Sequence, residues 1–249
     1  MLKTNEIKSL IFMMIFLGVT PVWGKSLVLE SGPKQKSLIE LYSSEGCSSC
    51  PPAEKWLVGL RKKKGLWKDF VPIEFHVDYW NRLGWIDPFS NKAFTKRQRR
   101  YADEWNSSRV YTPGFVRNGK EWRRQSPTAG GLAEDVGHLK ITSSDQKIFR
   151  VQFLPAKQSQ DDLIIVGTLL GNGLTTKVPR GENAGEVLNH EFVVLKITRK
   201  TLQKQKDGSY VADVQLPRSY KAKPRSLSAA FWVRSKNSQA PIQVVGGDL

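Results

Sequence analysis

The spacing of apolar positions changes partway along this chain, and the change divides it into two textures. Leu38-Ile39-Glu40-Leu41-Tyr42 reads as a short strand, followed by the turn-like stretch Ser43-Ser44-Glu45-Gly46. From Pro51 the apolar residues Ala53, Trp56, Leu57 and Leu60 recur at helical spacing. Arg61 to Lys64 then sit where a helix C-terminus favours cations, and Gly65 follows as a stop. Phe70 to Val77 reads as a second strand, so the unit predicts a right-handed parallel crossover with both strand C-termini on one edge. A loop from Asp78 to Pro88 leads to Ser90 as N-cap of a second helix. That helix buries Phe94, Tyr101 and Trp105 and turns Lys96, Arg97, Arg99 and Arg100 outward. Phe115-Val116-Arg117, Asn118-Gly119 and Lys120-Glu121-Trp122 spell a hairpin. Ser126-Pro127 predicts a weak helix reaching about Lys140.

From Ile148 onward, short apolar runs recur at 148–154, 163–170, 192–197, 210–216, 228–233 and 242–245, separated by turn residues. This is the pattern of a mainly β, sandwich-like unit. No internal repeat is visible. The chain has 249 residues, 39% of them hydrophobic and 10% aromatic, enough to bury a sizeable core, which excludes global disorder.

The N-terminus reads differently. Lys3 and Lys8 form a basic region, Leu10 to Val19 an apolar run, and Pro21-Val22-Trp23-Gly24 a place for cleavage. Residues 1–24 are expected to be a signal peptide, which makes the protein exported, periplasmic or secreted; a retained anchor is the alternative. The formal net charge of +16 falls to about +15 without that segment. A surface of this sign associates weakly with anionic partners. The basic residues are scattered and no nucleic-acid-binding signature is present, so no specific nucleic-acid partner is expected.

The chemistry centres on the two cysteines, Cys47 and Cys50, three positions apart. A structural disulfide closing so short a loop contributes only roughly 2 kcal/mol by chain entropy. A metal site needs further ligands, and the sequence offers only His76, His138 and His190, with no second cysteine pair. A redox pair fits the position between strand and helix N-terminus, where backbone N–H groups and the helix dipole favour a thiolate. Cys47 is then the more exposed nucleophile and Cys50 the shielded, resolving thiol. Ser48 and Ser49 offer hydroxyl hydrogen bonds but no charge.

Several stretches resemble a family of secreted, mostly bacterial, thioredoxin-like proteins catalogued as a domain of unknown function. They are the run Glu40 to Ala53, Phe75-His76-Val77-Asp78-Tyr79-Trp80, Leu83 to Phe89, Arg97-Gln98-Arg99, Val110-Tyr111-Thr112-Pro113 and Gly181-Glu182-Asn183-Ala184-Gly185. Asn81 departs from an expected aspartate and Gly114 from an expected glutamine. The resemblance implies an α/β fold: a thioredoxin-like domain over residues 36–142, followed by a β-rich unit over 148–249. It also implies a cis Thr112-Pro113 bond facing the dithiol, with Thr112 backbone groups turned toward an extended substrate. Glu40 is then a candidate buried acid for proton transfer to Cys50, or else a solvated strand glutamate.

His76 and Asp78 fall on one strand face, to exchange protons or to join loop and strand by a structural hydrogen bond. Tyr79, Trp80 and Trp85 are candidates for an apolar lip around a peptide, or for packing of the long loop. Glu182, Asn183 and His190 form a polar cluster to which the sequence assigns no chemistry. Two functions follow. One is an exported thiol–disulfide oxidoreductase acting on protein or peptide thiols, needing no cofactor beyond a redox-active Cys47–Cys50 disulfide and served by an unidentified redox partner. The other is a copper-handling or other binding module that uses Cys47, Cys50 and His76.

Overall fold

The computed structural model describes residues 26–123 and 132–249. The expected signal peptide lies outside the described residues, as does the predicted helix start at Ser126. Among the described residues no helix is long and apolar enough to cross a membrane.

The first half supplies β1 (Leu27–Glu30), β2 (Ser37–Ser43), α1 (Pro51–Gly59), β3 (Phe70–His76), α2 (Lys92–Glu104), β4 (Gly114–Arg117) and β5 (Lys120–Glu121). There follow β6 (Gly137–Ser143), β7 (Ile148–Pro155), β8 (Leu163–Asn172), β9 (Leu174–Lys177), β10 (Val187–His190) and β11 (Val193–Thr201). The chain ends with β12 (Gln203–Lys204), β13 (Tyr210–Gln215), β14 (Ser226–Ser235) and β15 (Pro241–Asp248). β6 occupies the far end of the predicted weak helix; its buried and half-buried residues alternate, which is strand periodicity.

The predicted fold class is overturned. The protein is mostly β, with two α-helices among the described residues, and is not an α/β thioredoxin-like fold followed by a β unit. The physical reason is the pairing of β3. One edge pairs with β2 in parallel, and the other meets β11 through Val193 and Glu74, so the sheet continues through β8, β14 and β15. Eight strands in the order β15-β14-β8-β11-β3-β2-β4-β5 result. A five-stranded sheet, β1-β6-β7-β13-β12, likewise takes β1 from the start of the chain and its other strands from beyond residue 136.

Side-chain alternation sorts the core. On β8 and β14, Ile165, Phe231 and Val233 join Phe149, Val151 and Phe153 of the five-stranded sheet. Their neighbours Val166, Ala230 and Trp232 face the other way, into one cluster with Val71, Ile73 and Phe75 of β3 and Phe94 and Tyr101 of α2. α1 packs Ala53 and Leu57 on Ile39, Leu41 and Phe70, across the sheet from α2. The Asn118-Gly119 turn forms as predicted, both residues at positive φ. The α2 N-cap is Asn91, whose side chain accepts from the Ala93 amide at 2.9 Å, and not Ser90.

Arg97 was expected on the outer face of α2 but is 1% exposed. Its guanidinium grips Glu40 with Nε at 2.7 Å and an Nη at 2.9 Å, and lies over the rings of Phe75, Tyr101 and Trp232. Tyr42 and Tyr101 donate further bonds to the same carboxylate, at 2.9 and 2.5 Å. Removing one partner of such a pair strands a buried charge, at a cost of about 3–5 kcal/mol. Glu40→Leu alone should therefore lower the urea midpoint steeply, whereas Glu40→Leu with Arg97→Met should lose less than either single change.

Candidate functional site

The dithiol loop begins where β2 ends. Cys47 N donates to Ser44 O at 3.1 Å and Cys50 N to Cys47 O at 3.1 Å, winding the chain through two turns into α1. Cys50 is the residue before the helix, and Pro51 and Pro52 occupy its first two positions, so two of the usual free N–H groups are absent. Those of Ala53 and Glu54 are spent on Cys50 O, at 2.9 and 3.1 Å. Both cysteines are free thiols here and both are 0% exposed, so the expected greater exposure of Cys47 is not seen.

The thiols are nevertheless unequal. The Cys47 pKa is lowered to about 6, first by a hydrogen bond from Cys50 and then, against the effect of burial, by bonds from Ser49 and Thr112. The Ser49 hydroxyl lies 3.2 Å from the Cys47 sulfur. Cys50 is pushed far in the opposite direction by burial and by its neighbour Cys47. Activation thus comes from hydroxyl and thiol donors at the loop, more than from the row of helix amides that the sequence suggested.

Thr112-Pro113 is cis, with the Thr112 carbonyl 3.8 Å from the Cys47 sulfur. Trp80 Nε1 donates to Thr112 Oγ1 at 2.7 Å. An indole can only donate, so the Thr112 hydroxyl hydrogen is left for the sulfurs. A cleft of about 480 Å³ opens on this side, with Ser49, Pro52, Tyr111, Pro113, Phe115 and Trp122 among its lining residues.

Tyr79, Trp80 and Trp85, expected as its lip, do not line it. They are half-buried, and their polar ends bond to Gln98 at 3.3 Å, Thr112 at 2.7 Å and Glu45 at 2.7 Å. Gly114 leaves space already taken, since a Cβ there would lie 2.9 Å from Tyr111 O. Asn81 braces the loop, donating to Ser90 Oγ at 3.0 Å and accepting from the Asp87 amide at 3.2 Å.

Glu40 does not reach Cys50. Its partners are Arg97, Tyr42 and Tyr101, and the reason is parity: Glu40 pairs with Ile73 on the α2 face, while Leu41 and Ser43 share the α1 face with Glu74 and His76. The buried acid on the dithiol side is Glu54, hydrogen-bonded by Ser43, whose hydroxyl also bonds the Cys50 sulfur.

The second half secures the loop. Asn183 Nδ2 donates to Glu45 O at 2.8 Å and to Cys47 O at 3.0 Å. Glu182 accepts from the Ser48 amide at 2.9 Å and the Ser48 hydroxyl at 2.7 Å. His190 Nε2 meets Glu45 at 3.2 Å, while its Nδ1 lies 3.1 Å from Glu54. The polar cluster of the second half is therefore part of this site. The only sequence signal for it was the glycine-bounded stretch 181–185.

His76 pairs with Asp87 at 2.7 Å, while Asp78 instead bonds Thr95 of α2. Burial works against protonation of both histidines, yet it is outweighed. Asp87 and Glu74 hold the His76 pKa well up, and Glu45 and Glu54 raise that of His190 to about 9. Glu74 is shifted upward, by burial and by the charge of Glu54. The copper set Cys47, Cys50 and His76 does not converge. Among the described residues the ligand atoms that do come together, all within 4.8 Å of one another, belong to Glu54, Glu74, His76 and His190.

A family model described as "Protein of unknown function (DUF1223)" matches residues 38–234. No curated protein matches. A solved structure of an Agrobacterium tumefaciens protein is similar at 20% identity, with a TM-score of 0.56 over 87% of this chain and 94% of the other. HBP35 of Porphyromonas gingivalis is similar at 14% identity, with a TM-score of 0.55 over 88% of this chain and 76% of the other. At such identities the likeness is one of fold, and it spans both halves of the chain.

Alkylation of Cys47 against pH should give a midpoint near 6, so that roughly nine-tenths of it is thiolate at pH 7. Cys50→Ala removes the foremost stabilising hydrogen bond and should move that midpoint upward, toward the ~8.5 of a free thiol. Ser49→Ala should move it less far in the same direction.

Proposed function

Because the chain belongs to this family of unknown function, we propose its activity from the site alone: thiol–disulfide exchange on protein or peptide substrates outside the cytoplasm. The observation that carries the reading is the placement of two free thiols at the start of α1, with the Ser49 hydroxyl 3.2 Å from the Cys47 sulfur and the carbonyl of cis Thr112-Pro113 3.8 Å from it. These surroundings lower the Cys47 pKa and raise that of Cys50. A thiolate beside a neutral thiol is the starting state that disulfide exchange requires.

In the first step the Cys47 thiolate attacks one sulfur of a substrate disulfide. A Cys47–substrate S–S bond forms, the substrate S–S bond breaks, and the leaving sulfur departs as a thiolate. The charge that disfavoured ionisation of Cys50 is then gone. Cys50 attacks the Cys47 sulfur, its proton goes to the departing substrate thiolate, and the Thr112 hydroxyl, whose hydrogen is left for the sulfurs, supports the developing charge. The net result is a Cys47–Cys50 disulfide, one substrate thiol and one substrate thiolate that takes its proton from water, a two-electron transfer that runs in reverse from the oxidised protein.

The substrate chain is placed along the cleft between Pro52 and Pro113. Ser49 lines that cleft with its hydroxyl 3.2 Å from the Cys47 sulfur, and its side chain must turn aside for a substrate disulfide to reach the thiolate. The apolar walls of Phe115 and Trp122 suit unfolded or peptide substrates better than small polar thiols. The signal peptide expected over residues 1–24 supports an exported setting, where such substrates carry disulfides.

Reduction of insulin disulfides under dithiothreitol tests the reading. The wild-type protein should accelerate precipitation of the insulin chains, and Cys47→Ser should abolish the acceleration. Cys50→Ser should accumulate a mixed disulfide that dithiothreitol releases. Turnover by Cys47→Ser equal to that of wild type would reject this function.

A further inference from the structure

Behind the dithiol lies a feature that disulfide exchange does not use. Glu74 and His76 stand two apart on β3, Glu54 comes from α1, and His190 closes β10. They are 1%, 0%, 3% and 1% exposed. Three of their atoms, Glu74 Oε1, His76 Nε2 and His190 Nδ1, are buried with no hydrogen-bond partner. The His76–Glu74 separation is 3.5 Å and the His190–Glu54 separation 3.1 Å, yet neither is aligned as a hydrogen bond. Buried polar atoms are ordinarily satisfied, and three orphaned ones within 4.8 Å of one another call for a partner between them.

We propose that Glu54, Glu74, His76 and His190 form a binding site for one divalent first-row transition-metal ion of the zinc type, held by two imidazole nitrogens and two carboxylate oxygens. Four features of the geometry fit that chemistry. Two of the ligand separations lie close to the edge of about 3.3 Å that a tetrahedron with bonds of ~2.05 Å requires, and all four ligand atoms lie within 4.8 Å of one another. Each imidazole turns its remote nitrogen to a carboxylate, His76 Nδ1 to Asp87 at 2.7 Å and His190 Nε2 to Glu45 at 3.2 Å. That is the outer arrangement that orients metal-ligating histidines. Those carboxylates are fixed in turn, Asp87 by the amides of Glu45 and Phe89 at 2.9 Å and Glu45 by Trp85 Nε1 at 2.7 Å. Finally, a dication would take the place of the two protons that the carboxylates otherwise hold on His76 and His190, so the buried charge stays balanced when the imidazoles ligate.

Mixed imidazole and carboxylate ligation selects zinc, cobalt, manganese or ferrous iron over magnesium or calcium, which prefer all-oxygen shells. Four protein ligands would complete a four-coordinate shell, which makes the ion structural, and Glu54 is linked through the Ser43 hydroxyl toward Cys50.

The test is anaerobic titration of the reduced, mature protein with Co2+. One ion per chain should bind, giving visible d–d bands without sulfur charge transfer, and Zn2+ should bleach them. The spectrum should persist in the Cys47→Ser/Cys50→Ser double variant. Asp87→Asn should weaken binding about 10–100-fold and His76→Gln should weaken it further. Should those variants fold poorly, wild type alone decides, since Zn2+ must raise its melting temperature. Failure of wild type to take up a stoichiometric ion would overturn the site. So would a sulfur charge-transfer band lost with the cysteines, or Co2+ binding unchanged in Asp87→Asn and His76→Gln. Insulin reduction does not enter any of these outcomes, so the metal site and the exchange activity stand or fall separately.

Discussion

Strand β3 has neither a free edge nor a free face, and the rest of the molecule is arranged around that constraint. Parallel to β2 on one side and bridged to β11 on the other, it joins the two halves of the chain in one sheet. All seven of its residues are buried. Any polar side chain on it must therefore find partners inside the protein. Val71, Ile73 and Phe75 feed the apolar face beneath α2, whereas Glu74 and His76 emerge beneath α1 and draw in Glu54, Asp87 and His190. The dithiol sits directly above this charged layer, at the N-terminus of the helix that contributes Glu54.

Two buried electrostatic systems result, one on each face of the same sheet. On the α2 face, Arg97 and Glu40 neutralise each other amid aromatic rings and serve packing. On the α1 face, carboxylates and imidazoles outnumber the hydrogen bonds that link them, leaving atoms unsatisfied near the two free thiols. A protein whose surface charge is strongly positive thus concentrates acidic groups in its interior, where they govern the chemistry.

Much of the local structure was legible because periodicity reports burial directly. The β2-loop-α1-β3 unit, the Asn118-Gly119 hairpin and the six later apolar runs all emerge from spacing, and the cysteine pair marks the site's place. What escaped is non-local. Nothing in residues 70–77 says that β11 lies against them, and without that pairing the first half reads as a self-contained α/β unit. β10, four residues with exposed and buried positions alternating, is too short to announce itself, so His190 carried no signal of its destination. Arg97 looked solvated because a lone arginine among three other basic residues gives no hint of a buried partner. The misplacement of Glu40 has the simplest cause, since a shift of one position along a strand exchanges one face for the other.

The Asn183 clasp bears on how this protein can have been assembled over time. The clasp and its neighbour Glu182 sit on the turn between β9 and β10, a two-stranded ribbon that belongs to neither large sheet. Its contacts reach back some 135 residues to hold the carbonyls on either side of Gly46. A gene fragment encoding only the first half would carry both thiols but would lack the Asn183 and Glu182 contacts that hold the loop from outside. The dithiol loop in this form is thus not portable: excised with the first half alone it would lose its clasp, so the two halves must diverge in step.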